Sequence, residues 1–431
     1  MTTALGALFD RPRESRERII TAMRHRLFPL PDRGSSFFIH LSELCPVACE
    51  HCMYSSDLNR KSTKDSLSPD ELDAAIGFID ESRSEKLNIT GGGEPFLKFR
   101  SVLRLLERVN VPRIEIVTAG YWGTSEKRTE RLLRRMDEAL LRNPYRPVAM
   151  LRLSIDRYHI DAPRPVRIEH YGTITRVWRR LSPGFGLGFR SIQPDMDVVD
   201  KALAAELGAT IEPVNEWNRS VVMDDGRVLP ITFNVFRLSG KAAALRDDLS
   251  AESQTIKEYY APYESGSNRL TLATKVNDAI RGTYAASTGV AVTMDSDGTF
   301  WIFGGTAPDR RLTFNGQSFT AAMTHFFADP ITHLLVEEGL WYLADLVDIL
   351  DPATHAAALG KNDVAALVED LLAPEDVRLA VTLLAARWAV ARGRVSFPGD
   401  LWIQEIAEGT DDLAARCATA IREGRRHGTA A

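Results

Sequence analysis

Apolar and polar positions follow two rhythms along this chain. Short apolar runs recur at FFIHL (37–41), KLNIT (86–90), RIEIVT (113–118), VAMLRLSI (148–155), FGLGFRSI (185–192) and ITFNVFRL (231–238). Rich in β-branched and aromatic residues, they read as strands. Between them lie longer stretches with helical spacing: 68–82, 99–110, 125–143, a region around 165–181, and 195–208. In the first of these, Ser68 is placed to cap the helix and Glu71, three residues on, completes a capping box. A charged amphipathic helix over 10–27 precedes the first strand and is broken by PLPDRGSS. Strands alternating with helices predict parallel pairing through right-handed crossovers. Six such units give an α/β protein built on a partial (β/α)6 barrel, with its ligand site at the carboxyl ends of the strands.

After about residue 245 the pattern changes. VAVTMDSDGTFWIFGG (290–305) reads as a hairpin turning at Asp297-Gly298, and 318–423 is mostly helical in rhythm. The expected division is an N-terminal helical segment (1–34), a barrel (35–245), and a mainly α-helical C-terminal extension (246–431) that begins with the hairpin and covers the substrate. No internal repeat or low-complexity tract interrupts this order.

Composition narrows the picture modestly. The chain has 431 residues, 44% of them hydrophobic and 26% charged, which excludes a disordered chain, a collagen and a disulfide-rich miniprotein. A net charge of −5 gives no bulk attraction to nucleic acid or to anionic membranes, so neither is expected as a partner. No stretch of about 18 apolar residues occurs and the N-terminus carries no apolar signal region. The expectation is a cytoplasmic protein with reduced thiols.

The cysteines sharpen this reading. Three of the four fall in LCPVACEHC, as Cys45-x3-Cys49-x2-Cys52, directly after the first strand; Cys417 is far away. Clustering of this kind points to metal binding rather than cross-linking. Thiolates suit zinc or an iron–sulfur cluster. His51 is badly placed to be a fourth ligand because it adjoins Cys52, and a cluster held by three thiolates keeps one iron open.

CxxxCxxC after the first strand of a β/α barrel resembles the signature of the radical S-adenosylmethionine (radical-SAM) enzymes. The resemblance implies that Cys45, Cys49 and Cys52 hold one [4Fe–4S] cluster whose open iron chelates S-adenosylmethionine. Reductive cleavage then yields a 5′-deoxyadenosyl radical, which abstracts a hydrogen atom from substrate. A flavodoxin or ferredoxin-type protein would supply the electron. The second strand ends in Thr90-Gly91-Gly92-Gly93-Glu94-Pro95, similar to the family's GGE-P motif. On that likeness Gly92, Gly93 and Glu94 meet the methionine amino group. The third strand ends VTAGYWG, resembling "TNAYW"; Thr118, Tyr121 and Trp122 fit, and Ala119 replaces the usual Asn. The fourth ends LSIDRYH, similar to "SVDxxH", with Ser154 and Asp156 toward ribose or substrate and His159 a candidate catalytic group. Arg190 and Ser191 on the fifth strand are expected near the ribose or carboxylate. His51 stands where the family has an aromatic residue near adenine. The sixth strand runs into Gly240-Lys241-Ala242, resembling a "G-[RK]-A" end.

The hairpin at 295–305 resembles the start of a SPASM/twitch-like module, without the cysteines that hold auxiliary clusters. One cluster is therefore expected and no second. Cys417, in the helical stretch TDDLAARCATAIREG, is either a hydrogen-atom donor that quenches a product radical or a buried core residue. Tyr158, Tyr259, Tyr260 and Trp301 are candidate cavity aromatics. Substrate is a small metabolite or a ribosomal peptide. The alternative function is a zinc- or cluster-binding regulatory protein on the same fold.

Overall fold

A computed structural model of the protein describes residues 12–25, 34–58, 66–245, 254–255, 258, 290–302, 312–314, 316–326, 328–362, 364–396 and 412–428. Helix α1 (Pro12–Ala22) leads into strand β1 (Gly34–His40). Next come α2 (Pro69–Ser82), β2 (Lys86–Thr90), α3 (Phe99–Arg108), β3 (Arg113–Thr118), α4 (Glu126–Arg142) and β4 (Val148–Ser154). They are followed by α5 (Ile168–Leu181), β5 (Gly186–Ile192), α6 (Met196–Leu207), β6 (Thr210–Asn215), β7 (Asn218–Val222) and β8 (Val228–Asn234). The capping box forms as expected: the Ser68 side chain accepts from the Glu71 N–H, and the Glu71 carboxylate accepts from the Ser68 N–H.

All six expected strands pair in parallel, in the order β1-β2-β3-β4-β5-β8. The β6–β7 hairpin, which the expected strands leave out, lies between α6 and β8 in sequence and pairs antiparallel beside β8. Its link to β8 turns at Asp225-Gly226, where Gly226 has φ of 82°. This is a turn signal of the same kind as Asp297-Gly298.

The other end of the sheet is closed by residues from the C-terminal half. Strand β9 (Val290–Met294) lies parallel to β1, and β10 (Thr299–Ile302) turns back against it. Strand β11 (Leu312–Thr313) adds a second antiparallel step. The expected hairpin therefore exists, with Gly298 at φ 87°, and it extends the barrel sheet.

Among the described residues two large hydrophobic cores result, beside a small cluster of Ile192, Phe236, Leu238 and Ala242. The first lies between the sheet and its helices, where Phe37 and Ile39 of β1 are fully buried and Phe37 packs on Phe78 of α2. Phe319, from α7 (Phe319–Phe326), joins the same aromatic group. The second core belongs to helices α8 (Pro330–Glu337), α9 (Leu340–Leu350), α10 (Pro352–Leu359), α11 (Val364–Leu371), α12 (Glu375–Ala391) and α13 (Leu413–Gly428). Helix α1 packs on α12 and buries Ile19 and Met23 in this second core, so the N-terminal segment joins the C-terminal helices. Among the described residues no helix is long and apolar enough to cross a membrane.

Candidate active site

Side chains alternate across each strand, so while Phe37 and Ile39 face the helices, Phe38 and His40 face inward. Together with the strand-end loops, these inward positions surround a cavity of about 600 Å³. Cys45, Cys49, Cys52, His51, Gly92, Gly93, Glu94, Thr118, Ser154, Asp156, His159, Arg190 and Ser191 all line it. The sequence expectation of a site at the carboxyl ends of the strands is thus met in position.

The three thiols interact with one another. Cys49 and Cys52 are joined by a hydrogen bond that pulls the Cys52 thiol down to about 5, while that bond and burial push Cys49 far up. The Ser56 N–H also donates to Cys52 Sγ at 3.4 Å. Burial pushes Cys45 up to about 11. Crowded, half-desolvated thiols of this kind resist ionising together unless a cation joins them. The donor set therefore fits a metal cluster bound through three thiolates.

Two neighbouring loops fix this one. The Gly93 N–H donates to Ser42 O and the Glu94 N–H to Leu44 O at 2.8 Å, tying the end of β2 to the cysteine loop. A Cβ on Gly93 would lie 2.1 Å from Leu44 O, so glycine is needed there for loop-on-loop packing. Gly240, at φ 58°, plays the same part after β8: a Cβ would lie 2.5 Å from Met53 O, and the adjacent Lys241 N–H donates to Cys52 O at 3.0 Å.

Glu94 is 3% exposed. It accepts from the Phe96 N–H (2.9 Å), the Thr118 hydroxyl (2.7 Å) and the Ala119 N–H (2.8 Å). All three hydrogen-bond donors are neutral, and His159 acts on it only through its charge, with no hydrogen bond between them among the described residues. Burial raises its pKa. Because the backbone N–H at position 119 makes the contact, alanine serves there. Trp122, fully buried and stacked on Phe96, donates from Nε1 to Thr118 Oγ1 at 3.1 Å and so holds the Thr118 hydroxyl in place.

Asp156 is occupied within the protein. Its Oδ1 accepts from the His159 N–H at 2.9 Å, and its Oδ2 lies 2.8 Å from His159 Nδ1 and 3.1 Å from His51 Nε2. Burial works to raise this carboxyl, but the two imidazoles outweigh it and hold it well below the ordinary range. His51 stacks on Tyr158 at 4.9 Å, with its Nδ1 buried and without a hydrogen-bond partner among the described residues. Asp156, expected toward ribose or substrate, lines the cavity and there holds two histidines. Arg190 is desolvated, which lowers its pKa, and its guanidinium donates to Asn234 Oδ1 at 3.3 Å. The Ser191 hydroxyl is buried without a hydrogen-bond partner among the described residues.

Cys417 stands apart. It is fully buried beside Leu413, Ala418 and Ile421 in the helical core, its thiol pushed up to about 12 by burial, and it has no place in the cavity wall. A hydrogen donor must touch the substrate radical, so this placement corrects the donor expectation in favour of the core residue. Tyr259 and Tyr260 lie outside the described residues. The sequence reading missed His40, Asp295 and Glu369 in the wall. The inward phase of β1 could have found His40, whereas Asp295 and Glu369 arrive from the far half of the chain.

Comparison with known proteins agrees with this geometry. A family described as a 4Fe-4S single cluster domain matches residues 33–146. The chain is 25% identical to GTP 3′,8-cyclase of Alkaliphilus metalliredigens (strain QYMF) over 165 residues, 37% of this chain and 46% of that protein. It is 26% identical to YydG of Bacillus subtilis (strain 168), provisionally assigned to peptide biosynthesis, over 28% of this chain and 35% of that protein. The chain thus spans less than half the length of these curated relatives. Among solved structures, tagged anSMEcpe with bound AdoMet is similar at a TM-score of 0.41 and 13% identity, covering 90% of this chain and 98% of that one. Taken with the three-thiol loop and the glycine–glutamate turn that braces it, the sequence matches support the resemblance to the radical S-adenosylmethionine superfamily.

Proposed function

We propose that the protein is an enzyme that reductively cleaves S-adenosylmethionine at a [4Fe–4S] cluster and abstracts a hydrogen atom from a small metabolite or a peptide. The observation that carries this reading is the pairing, in one cavity wall, of three interacting thiols with a buried carboxylate that has only neutral partners. When bound, the cluster and S-adenosylmethionine supply an organic radical able to attack an unactivated carbon.

The chain's own residues bind and orient. Cys45, Cys49 and Cys52 hold iron and leave one position open. Glu94 accepts the methionine ammonium, which would supply the positive charge its burial lacks. Arg190 faces the carboxylate, with guanidinium donors to spare beyond Asn234. His51, held edge-on by Asp156 and stacked on Tyr158, packs against the adenine base. The Ser154 and Ser191 side chains serve the ribose. Small-metabolite and peptide substrates both have support, since one relative is named for a GTP cyclase and the other for peptide biosynthesis. A flavodoxin or ferredoxin-type donor delivers the electron.

Anaerobic reconstitution tests the reading. A brown protein that releases 5′-deoxyadenosine on reduction is expected, followed by a deuterium-transfer screen for substrate. A colourless zinc protein inert toward S-adenosylmethionine overturns it.

A further inference from the structure

A pair of residues not yet given a role spans the seam between the two halves of the chain. His40 ends β1 and Asp295 follows β9, the strand beside it, so the parallel register that sets Ile39 opposite Met294 brings the next residue of each strand alongside the other. Both line the cavity. His40 Nδ1 lies 2.7 Å from Asp295 Oδ1, across 255 residues of sequence. The imidazole is 3% exposed, Tyr54 packs edge-on against it at 5.0 Å, and its Nε2 is buried without a hydrogen-bond partner among the described residues.

The chemistry of this pair is directional. A carboxylate only accepts hydrogen bonds, so Asp295 fixes the proton of a neutral His40 on Nδ1 and leaves a lone pair on Nε2. A buried nitrogen of this kind is costly to leave unmatched. We propose that His40 is the proton-accepting residue of the cavity and that Asp295 is its positioning residue. The inference rests on the reading of this cavity as a substrate site. The group it takes is an O–H or N–H on the substrate. In the transfer the substrate's O–H or N–H bond breaks, the electron pair stays on oxygen or nitrogen, and the proton passes to Nε2. The resulting imidazolium sits against the Asp295 carboxylate. No oxidant or reductant enters this step.

The test is nitrogen NMR of the full-length, cluster-loaded protein labelled at its histidine rings, with His40→Gln to assign the signal. In the neutral ring, His40 should carry its proton on Nδ1 and none on Nε2, and Asp295→Asn should abolish or invert that preference. A proton on Nε2 in the wild type, or a tautomer indifferent to Asp295→Asn in a folded protein, overturns the proposal. With the substrate found by the deuterium screen, His40→Gln should lower kcat about 100-fold, as expected for loss of a proton-transfer group. An unchanged kcat overturns the proposal as well. Failure of the underlying reading looks different: the loaded wild type then fails to bind S-adenosylmethionine in equilibrium dialysis, whatever tautomer His40 shows.

Discussion

The helical core and the sheet core both bury charge, and they meet it differently. In the helical core Arg16 and Asp329, each 1% exposed, pair with one another; Arg16 also donates to Thr382, and Asp329 accepts from the Ile331 N–H to cap α8. In the sheet core Glu94 is surrounded by three neutral donors, the His40 ring has one nitrogen unmatched, and three thiols compete for protons. Asp329, which meets its base inside the helical core and away from the cavity wall, belongs to the scaffold. A buried acid left with neutral partners on a cavity wall is a site prepared for a charge that comes from outside.

The largest test of this contrast removes the thiols. Replacing Cys45, Cys49 and Cys52 with Ala should take iron content and visible absorbance to background, while thermal unfolding of the helical core persists. Breaking the scaffold pair comes next: Arg16→Met strands a buried carboxylate and should cost about 3–5 kcal/mol in denaturant unfolding. In the sheet, Glu94→Gln should weaken S-adenosylmethionine binding about tenfold or more in dialysis, because a charged partner is lost.

The same variant carries a pH signature. The folded pKa of Glu94 is raised by burial, so between the unfolded value and the folded one the native state holds more protons than the unfolded state. Wild-type stability therefore falls as pH rises through that window, and Glu94→Gln lacks this component; chemical denaturation of both at pH 5 and pH 7 reads the difference. The smallest effect is expected at Cys417. Cys417→Ala should cost only about 1 kcal/mol and leave 5′-deoxyadenosine formation and product unchanged. A lost product there would reopen the donor role.

Much of the barrel was legible because its signals are local. The six apolar runs, the Ser68–Glu71 capping box and the Asp297-Gly298 turn are all set by neighbours within a few residues. The β6–β7 hairpin escaped because Thr210–Asn215 is an exposed edge strand with little apolar alternation. The candidate residues in strand-end motifs, Asp156 among them, line the cavity; that Asp156 spends both oxygens on histidine groups is a matter of side-chain geometry that spacing does not encode. His40 and Asp295 form a pair only through the pairing of β9 with β1, and no local pattern announces a contact between residues so far apart.

That pairing also sets the order in which the molecule can be made. Strand β1 and the cysteine loop leave the ribosome early and β2 follows soon after, yet β9, which covers the other edge of β1, comes 255 residues later, as the His40–Asp295 separation shows. At about 5–20 residues per second this is a wait of roughly 10–50 s, during which the edge of β1 is bare. Closing so long a loop also slows folding, because its entropy is lost before any contact is gained. During this interval the thiols face the cell without their finished cavity, making nascent chains the form most exposed to oxidation and to capture of the wrong metal.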